Sequence, residues 1–308
     1  MPARRPLLAA LALVAALSAA GCSSRPAAPP AASPAPTEQT TAPSPAPSTT
    51  PTGAPVVVAA LGDSLSRGTD ACAGYGDCPA VSWSTGDDAR VDSVASRFGT
   101  AVAAPVRRVN AARSGAVVAE LAGQVDTALA ARPDLVTMLI GANDVCRDSV
   151  EAMTPSEDYA AAVGDAIDRL STGAPDATLL VASVPDVTAL LPAVASNETA
   201  RFIWSRADLC PIVLTDPISD APDVQARRAA VRLRIAEYDA ALQAACATAP
   251  RCVYDDGALT AYRPAPKQVS ALDAFHPSIS GLRQLASIEW AALEPRLSPS
   301  TPTPAATP

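Results

Sequence analysis

Val56-Val57-Val58-Ala59-Ala60-Leu61-Gly62-Asp63-Ser64-Leu65-Ser66 decides how the rest of the chain is read. An apolar, β-branched run stops at a glycine, and an aspartate and a serine follow at once. A short apolar run between Pro55 and Gly62 marks a strand buried on both faces, residues 56–61. Such strands belong to parallel sheets, and α/β proteins keep their chemistry beyond the C-terminal ends of these strands. Ser64 therefore stands at a sheet rim. A serine hydroxyl is a poor nucleophile until a base takes its proton. The rest of the chain must supply that base, a group that orients it, and donors for an oxyanion.

Outward from this stretch, strand and helix patterns alternate. The sequence predicts a helix over 89–98 ending at Gly99, then a strand over 106–110. A helix over 116–132 follows, with Val117, Leu121, Val125 and Leu129 at helical spacing and Pro133 as its stop. Residues 135–140 form the third strand. Ser156 caps a helix reaching Leu170, with Gly173 just past its end. The fourth strand covers 178–184. Residues 185–222 are long for a loop and are expected to carry short helices or a substrate-facing lid. A helix over 224–247, a short fifth strand over 251–255 and a last helix over 278–293 complete the pattern. Alternation implies a mainly parallel, five-stranded sheet covered on both sides. Right-handed crossovers then give a three-layer α/β/α domain with a flavodoxin-like strand order.

The ends of the chain read differently. In residues 1–22, Arg4 and Arg5 precede an apolar run too short to span a bilayer comfortably, the pattern of a signal peptide. The run ends Ser18-Ala19-Ala20-Gly21-Cys22, similar to the lipobox of bacterial lipoproteins, with Ala19 where leucine is usual. That resemblance implies an acylated Cys22 and a cell-membrane-anchored, extracytoplasmic protein; an ordinary secretory signal is the alternative. Residues 23–55 are nearly all Pro, Ala, Ser and Thr, too poor in large apolar side chains to offset their ordering entropy. They are expected to be a disordered spacer, and residues 298–308 repeat the composition. The folded part is thus 56–297, a size one core can serve. The formal charge is −8, and −10 once Arg4 and Arg5 are removed with the signal. An acidic domain without basic runs is a poor nucleic-acid binder. The protein is expected to act as a monomer.

Seven cysteines are an odd number. With Cys22 lipidated, six remain, and an even set in an exported protein suggests disulfides. Short loops favour Cys72–Cys78 and Cys246–Cys252, which leaves Cys146–Cys210. A zinc site is the rival reading. The C-x5-C spacings and a single distant histidine, His276, fit it poorly.

Four short blocks fall at strand ends or just before a helix: Gly62-Asp63-Ser64-Leu65-Ser66, Ser114-Gly115, Gly141-Ala142-Asn143-Asp144, and Asp273-Ala274-Phe275-His276-Pro277. Loops after parallel strands converge on one rim, so these blocks can meet. An imidazole ordinarily titrates near roughly pH 6.5, which suits a base at neutral pH. Asp273, three residues before His276, can hold its far ring nitrogen and fix the tautomer. The N–H groups of Ser64 and Gly115 and the amide of Asn143 are candidate oxyanion donors. Taken singly, each residue has a structural reading: Ser64 as a helix cap, His276 or Asp273 as a turn cap, Asn143 and Gly115 as turn formers. Asp63 and Asp144 are expected to hold loops. Trp83 and Trp204 line an acyl pocket or pack in the core.

Together the blocks resemble the SGNH/GDSL hydrolases, in order and across residues 61–277. The resemblance implies a serine esterase of flavodoxin-like fold that needs no cofactor and no metal. Its triad would be Ser64, Asp273 and His276, and its oxyanion hole Ser64, Gly115 and Asn143. Residues 72–86 are similar to those of secreted actinobacterial members with several disulfides. The substrate would be a lipid acyl ester or a small acyl ester, with apolar residues 189–194 favouring acyl lipids. The alternatives are a polysaccharide or peptidoglycan O-acetylesterase, and a non-catalytic glycan- or lipid-binding lipoprotein on the same scaffold.

Overall fold

The computed structural model describes residues 53–297, so the signal, Cys22, most of the spacer and the tail lie outside the described residues. Five strands form one parallel sheet in the order β2-β1-β3-β4-β5. They are β1 Val56–Gly62, β2 Val106–Asn110, β3 Leu135–Leu139, β4 Thr178–Val181 and β5 Cys252–Tyr254. This is the doubly wound order with its switch point between β1 and β3. The helices, in chain order, are α1 Ser64–Arg67, α2 Val94–Ala101, α3 Leu121–Ala130, α4 Ala142–Val145 and α5 Ser156–Gly173. They continue with α6 Leu190–Val194, α7 Glu198–Trp204, α8 Pro211–Leu214, α9 Pro222–Thr248 and α10 Ile279–Leu297.

Side chains alternate across a strand, and the central strands therefore feed two cores. Ala59, Leu61, Val136, Met138 and Val181 pack one face against α3, α5 and α9. Val58, Leu135, Leu139, Leu180 and Val253 pack the other against α2 and α10. Burial on both faces is why β1 reads as an unbroken apolar run and β3 and β4 as apolar runs with a single threonine each, Thr137 and Thr178. The edge strand β2 carries Arg107 and Arg108 instead.

Several element ends differ from the sequence pattern. Helix α2 starts at Val94, where the Ser93 hydroxyl accepts the Ser96 N–H at 3.3 Å, and runs through Gly99 to Ala101. A side chain at Gly99 would come within 2.3 Å of Val106 on β2, so this glycine is a close-packing site inside the helix. Gly173 is likewise the last residue of α5, seated on Leu129. Ser156 does not cap α5. Pro155 holds the cap position, and the Ser156 hydroxyl donates to Glu237 of α9. The helix expected over 116–132 opens with a 3-10 turn, Val118–Glu120, before α3. Strand β4 ends at Val181; the Ala182 N–H still donates to Met138 of β3 at 2.9 Å, but beyond it Ser183 Oγ donates to Asp255 at 2.8 Å and the Val184 N–H to Asp239 at 2.8 Å. Residues 185–222 hold the short helices α6, α7 and α8.

Disulfides join Cys72–Cys78, Cys146–Cys210 and Cys246–Cys252. The second ties the segment after α4 to α8 across a separation of 64 residues. No helix among the described residues is long and apolar enough to cross a membrane.

Candidate active site

The turn out of β1 is built by three residues. Gly62 has φ 139°, and a Cβ there would lie 2.2 Å from the Leu139 carbonyl oxygen, so only glycine fits. Gln124 of α3 clamps both Gly62 backbone groups, accepting its N–H at 2.7 Å and donating to its carbonyl at 2.9 Å. Asp63 caps α1, its Oδ1 accepting the Leu65 N–H at 2.9 Å. Ser64 is thereby fixed as the first residue of α1, directly off the end of β1.

His276 reaches this serine from the loop before α10. Its Nε2 lies 2.9 Å from Ser64 Oγ, and its Nδ1 lies 2.5 Å from Asp273 Oδ2. The other carboxylate oxygen of Asp273 accepts the N–H groups of Phe275 and His276 at 2.9 and 3.0 Å. Asp273 therefore holds both the backbone and the ring of the histidine. Burial pushes the Asp273 carboxyl up, but His276 and the two N–H donors outweigh it and hold the group below its ordinary value. Asp63 goes the other way. Burial raises it to about 7 against the Leu65 N–H and the nearby His276, and its Oδ2 has no partner among the described residues.

Asn143 follows β3 on α4, and its Nδ2 donates to the Ala116 carbonyl at 3.0 Å. That bond ties its amide to the residue after Gly115, whose φ is 79°. The segment before Gly115 is anchored through Ser114, whose hydroxyl sits 2.8 Å from Thr69 Oγ1 and donates to Asp77 at 2.5 Å. Asp144 is fully buried and accepts the Val118 N–H and the Thr154 hydroxyl. Burial leaves its carboxyl raised in spite of those donors. Asp63 and Asp144 thus hold loops, as their positions in the sequence suggested.

Ser64, Asn143 and His276 line one cavity of about 80 Å³. Its walls are mainly apolar and include Leu65, Val187, Leu190, Leu259, Val269 and Phe275. Val187 and Leu190 belong to the segment read as a lid. Gly115 is not among the lining residues. Neither tryptophan lines the cavity; Trp83 packs in the α2–α10 core and Trp204 in the opposite one. Among the described residues, one group of possible metal donors comes together, Asp70, Asp273 and His276. Both ring nitrogens of His276 are already engaged, so this group offers no free imidazole lone pair. Gln124 escaped the sequence reading. Its signal was a polar residue between Leu121 and Val125 on an otherwise apolar helix face.

A sequence profile of the GDSL-like lipase/acylhydrolase family matches residues 60–284. The chain belongs to this family of ester hydrolases. No curated protein matches it in sequence. Solved structures match it in fold. An α/β hydrolase from the metagenome of Lake Arreo, Spain, is 18% identical with a TM-score of 0.50, covering 80% of this chain and 98% of that one. The lipase/acylhydrolase of Enterococcus faecalis is 18% identical, with coverage of 80% and 99% and a TM-score of 0.49. The extracellular lipase of Streptomyces rimosus is 17% identical, with coverage of 77% and 99% and a TM-score of 0.48.

Proposed function

We propose that the protein hydrolyses carboxylic esters through an acyl-enzyme on Ser64, with His276 as base and Asp273 as its orienter. The observation that carries this reading is the unbroken chain from Ser64 Oγ to His276 Nε2, 2.9 Å, and from His276 Nδ1 to Asp273, 2.5 Å. That spacing is within general-base reach. Ser64 Oγ attacks the acyl carbonyl while Nε2 takes its proton. The oxyanion accepts hydrogen bonds from the Ser64 and Gly115 N–H groups and from the Asn143 amide hydrogen not given to Ala116. Collapse breaks the ester C–O bond, and the alcohol leaves with the proton from His276. Water, deprotonated by His276, then attacks the acyl-serine; the acyl–Oγ bond breaks, His276 returns the proton to Ser64, and the acid is released. Asp273 stays ionised throughout.

The apolar walls favour an acyl chain over a sugar. A long acyl chain would run past Val187 and Leu190 of the cavity wall. We place the enzyme outside the cytoplasmic membrane, held by lipid at Cys22. Ser64→Ala should lower turnover of p-nitrophenyl butyrate by at least about 10³-fold and abolish fluorophosphonate labelling, with an unchanged circular dichroism spectrum. Retained turnover or labelling in that variant refutes the mechanism. A p-nitrophenyl series peaking at acetate, with no tolerance of longer chains, refutes the acyl-chain assignment.

A further inference from the structure

Behind His276 stands a second carboxylate that the proposed reaction does not use. Asp70, Asp273 and His276 each bring one polar atom to within 4.8 Å of the other two. Asp70 opens a small loop closed by the Cys72–Cys78 disulfide. The Asp70 N–H donates to the Gly76 carbonyl at 2.9 Å, and Asp70 Oδ1 accepts the Gly76 N–H at 2.6 Å. Two further bonds end on the loop that carries Asp273: Ser270 Oγ donates to the Asp70 carbonyl at 2.5 Å, and the Tyr75 hydroxyl donates to the Leu272 carbonyl at 3.2 Å. The backbone of Asp70 is held at φ 55°, a left-handed conformation that aspartate tolerates better than most residues.

We infer that Asp70 is a positioning residue of this site: a second carboxylate, held against Asp273 by a disulfide-closed loop, whose charge supports the imidazolium formed on His276. This rests on the Ser64–His276–Asp273 reading above and deepens it. Two carboxylates this close push their titrations apart. Burial and the neighbouring Asp273 raise Asp70, against the Gly76 N–H, whereas Asp273 is held low. Acid therefore protonates Asp70 first and leaves Asp273 ionised on the histidine. Where both carry charge, the imidazolium faces two anions. The other titratable groups on this side are Asp63, from the β1–α1 turn, and Asp144, which faces Asp63. Asp63 titrates near 7 and so gives only partial charge there.

Asp70→Asn isolates the charge, because the asparagine oxygen can still accept the Gly76 N–H. A unit charge at such a separation, near water, moves a neighbour's titration by roughly half to one pH unit. The acid limb of kcat/KM should therefore move down by about half a unit or more, with kcat reduced and KM little changed. Asp70→Glu should recover part of the shift. His276 is the only histidine in the chain, so proton NMR of the imidazole reads the same displacement without turnover. An acid limb and an imidazole midpoint both unmoved in Asp70→Asn overturn the inference. So does a lowered melting temperature with both unmoved, which marks a purely structural role. Activity retained in Ser64→Ala refutes the reaction instead, and the NMR midpoint still decides the role of Asp70.

Discussion

At the scale of single residues, the site depends on groups that never touch a substrate. Gly62 cannot carry a side chain, and Gln124 satisfies both of its backbone groups inside the protein. Leaving a buried polar group unpaired costs about 1–3 kcal/mol. Gln124→Leu orphans the Gly62 N–H, while the Gly62 carbonyl keeps the Arg113 N–H at 3.1 Å, so the urea midpoint should fall by an amount equivalent to about 1–3 kcal/mol. Activity should fall further than stability predicts, because Ser64 follows Gly62 by two residues. A midpoint unchanged from the parent shows that the clamp is not structural. Asn143→Ala is a sharper probe of chemistry. Removing one oxyanion donor typically costs about 3–4 kcal/mol of transition-state stabilisation. The expected result is a drop in kcat of roughly 10²–10³-fold with KM little changed. A KM effect alone shows that Asn143 serves substrate binding.

At the scale of elements, strands were far more legible than helix ends. β1 and β3 are buried on both faces, and that burial writes itself as near-continuous apolar sequence. Helix ends depend on what packs against them. Gly99 and Gly173 have the composition of stop signals, yet each sits inside its helix because a strand or a neighbouring helix comes too close for a side chain. That distance is tertiary information and leaves no local trace. The blocks that bring Ser64, Asn143 and His276 to one cavity were legible because they fall just after strands or just before a helix; Asp70 was not, because its partner lies about 200 residues away, on the loop of Asp273. The segment of short helices, α6 to α8, is tied to the site by Cys146–Cys210. Closing a loop of 64 residues removes unfolded-state entropy worth about 4 kcal/mol. The double variant Cys146→Ser/Cys210→Ser should lose stability of that order. The loss should show in urea unfolding, and hydrolysis of longer acyl esters should fall more than that of acetate, since α6 supplies Leu190 to the cavity. Equal losses across chain lengths separate this segment from acyl selection.

At the scale of the whole molecule, buried acids set how stability should vary with pH, and Glu289 acts in the same sense as Asp63 and Asp144, whose carboxyls burial also raises. Glu289 of α10 is fully buried, and neither carboxyl oxygen has a hydrogen-bond partner among the described residues. Burial, and then the neighbouring Asp255, raise its carboxyl well above the ordinary 4.5. The folded protein thus keeps a proton that the unfolded chain releases, and stability falls wherever the folded state binds more protons. The contribution is complete below about pH 4.5 and is lost progressively as pH rises above it toward the raised folded value. Asp273 acts with the opposite sign. Its lowered carboxyl adds stability above the ordinary 3.8, and that part is lost as pH falls through the folded value. Stability should therefore peak on the acidic side of neutrality. Glu289→Gln removes the ionisable group while keeping its shape, so its midpoint should gain on the parent as pH rises from 5 to 9. A parent-minus-variant difference that stays constant across that range shows that Glu289 does not hold a proton in the folded state. This buried acid and the candidate esterase site share one domain: α10 carries Glu289 on its buried side and follows the loop that delivers His276. Ionisation that loosens α10 should then release the histidine as well, and the alkaline loss of activity should track the alkaline loss of stability in the parent and move with it in Glu289→Gln.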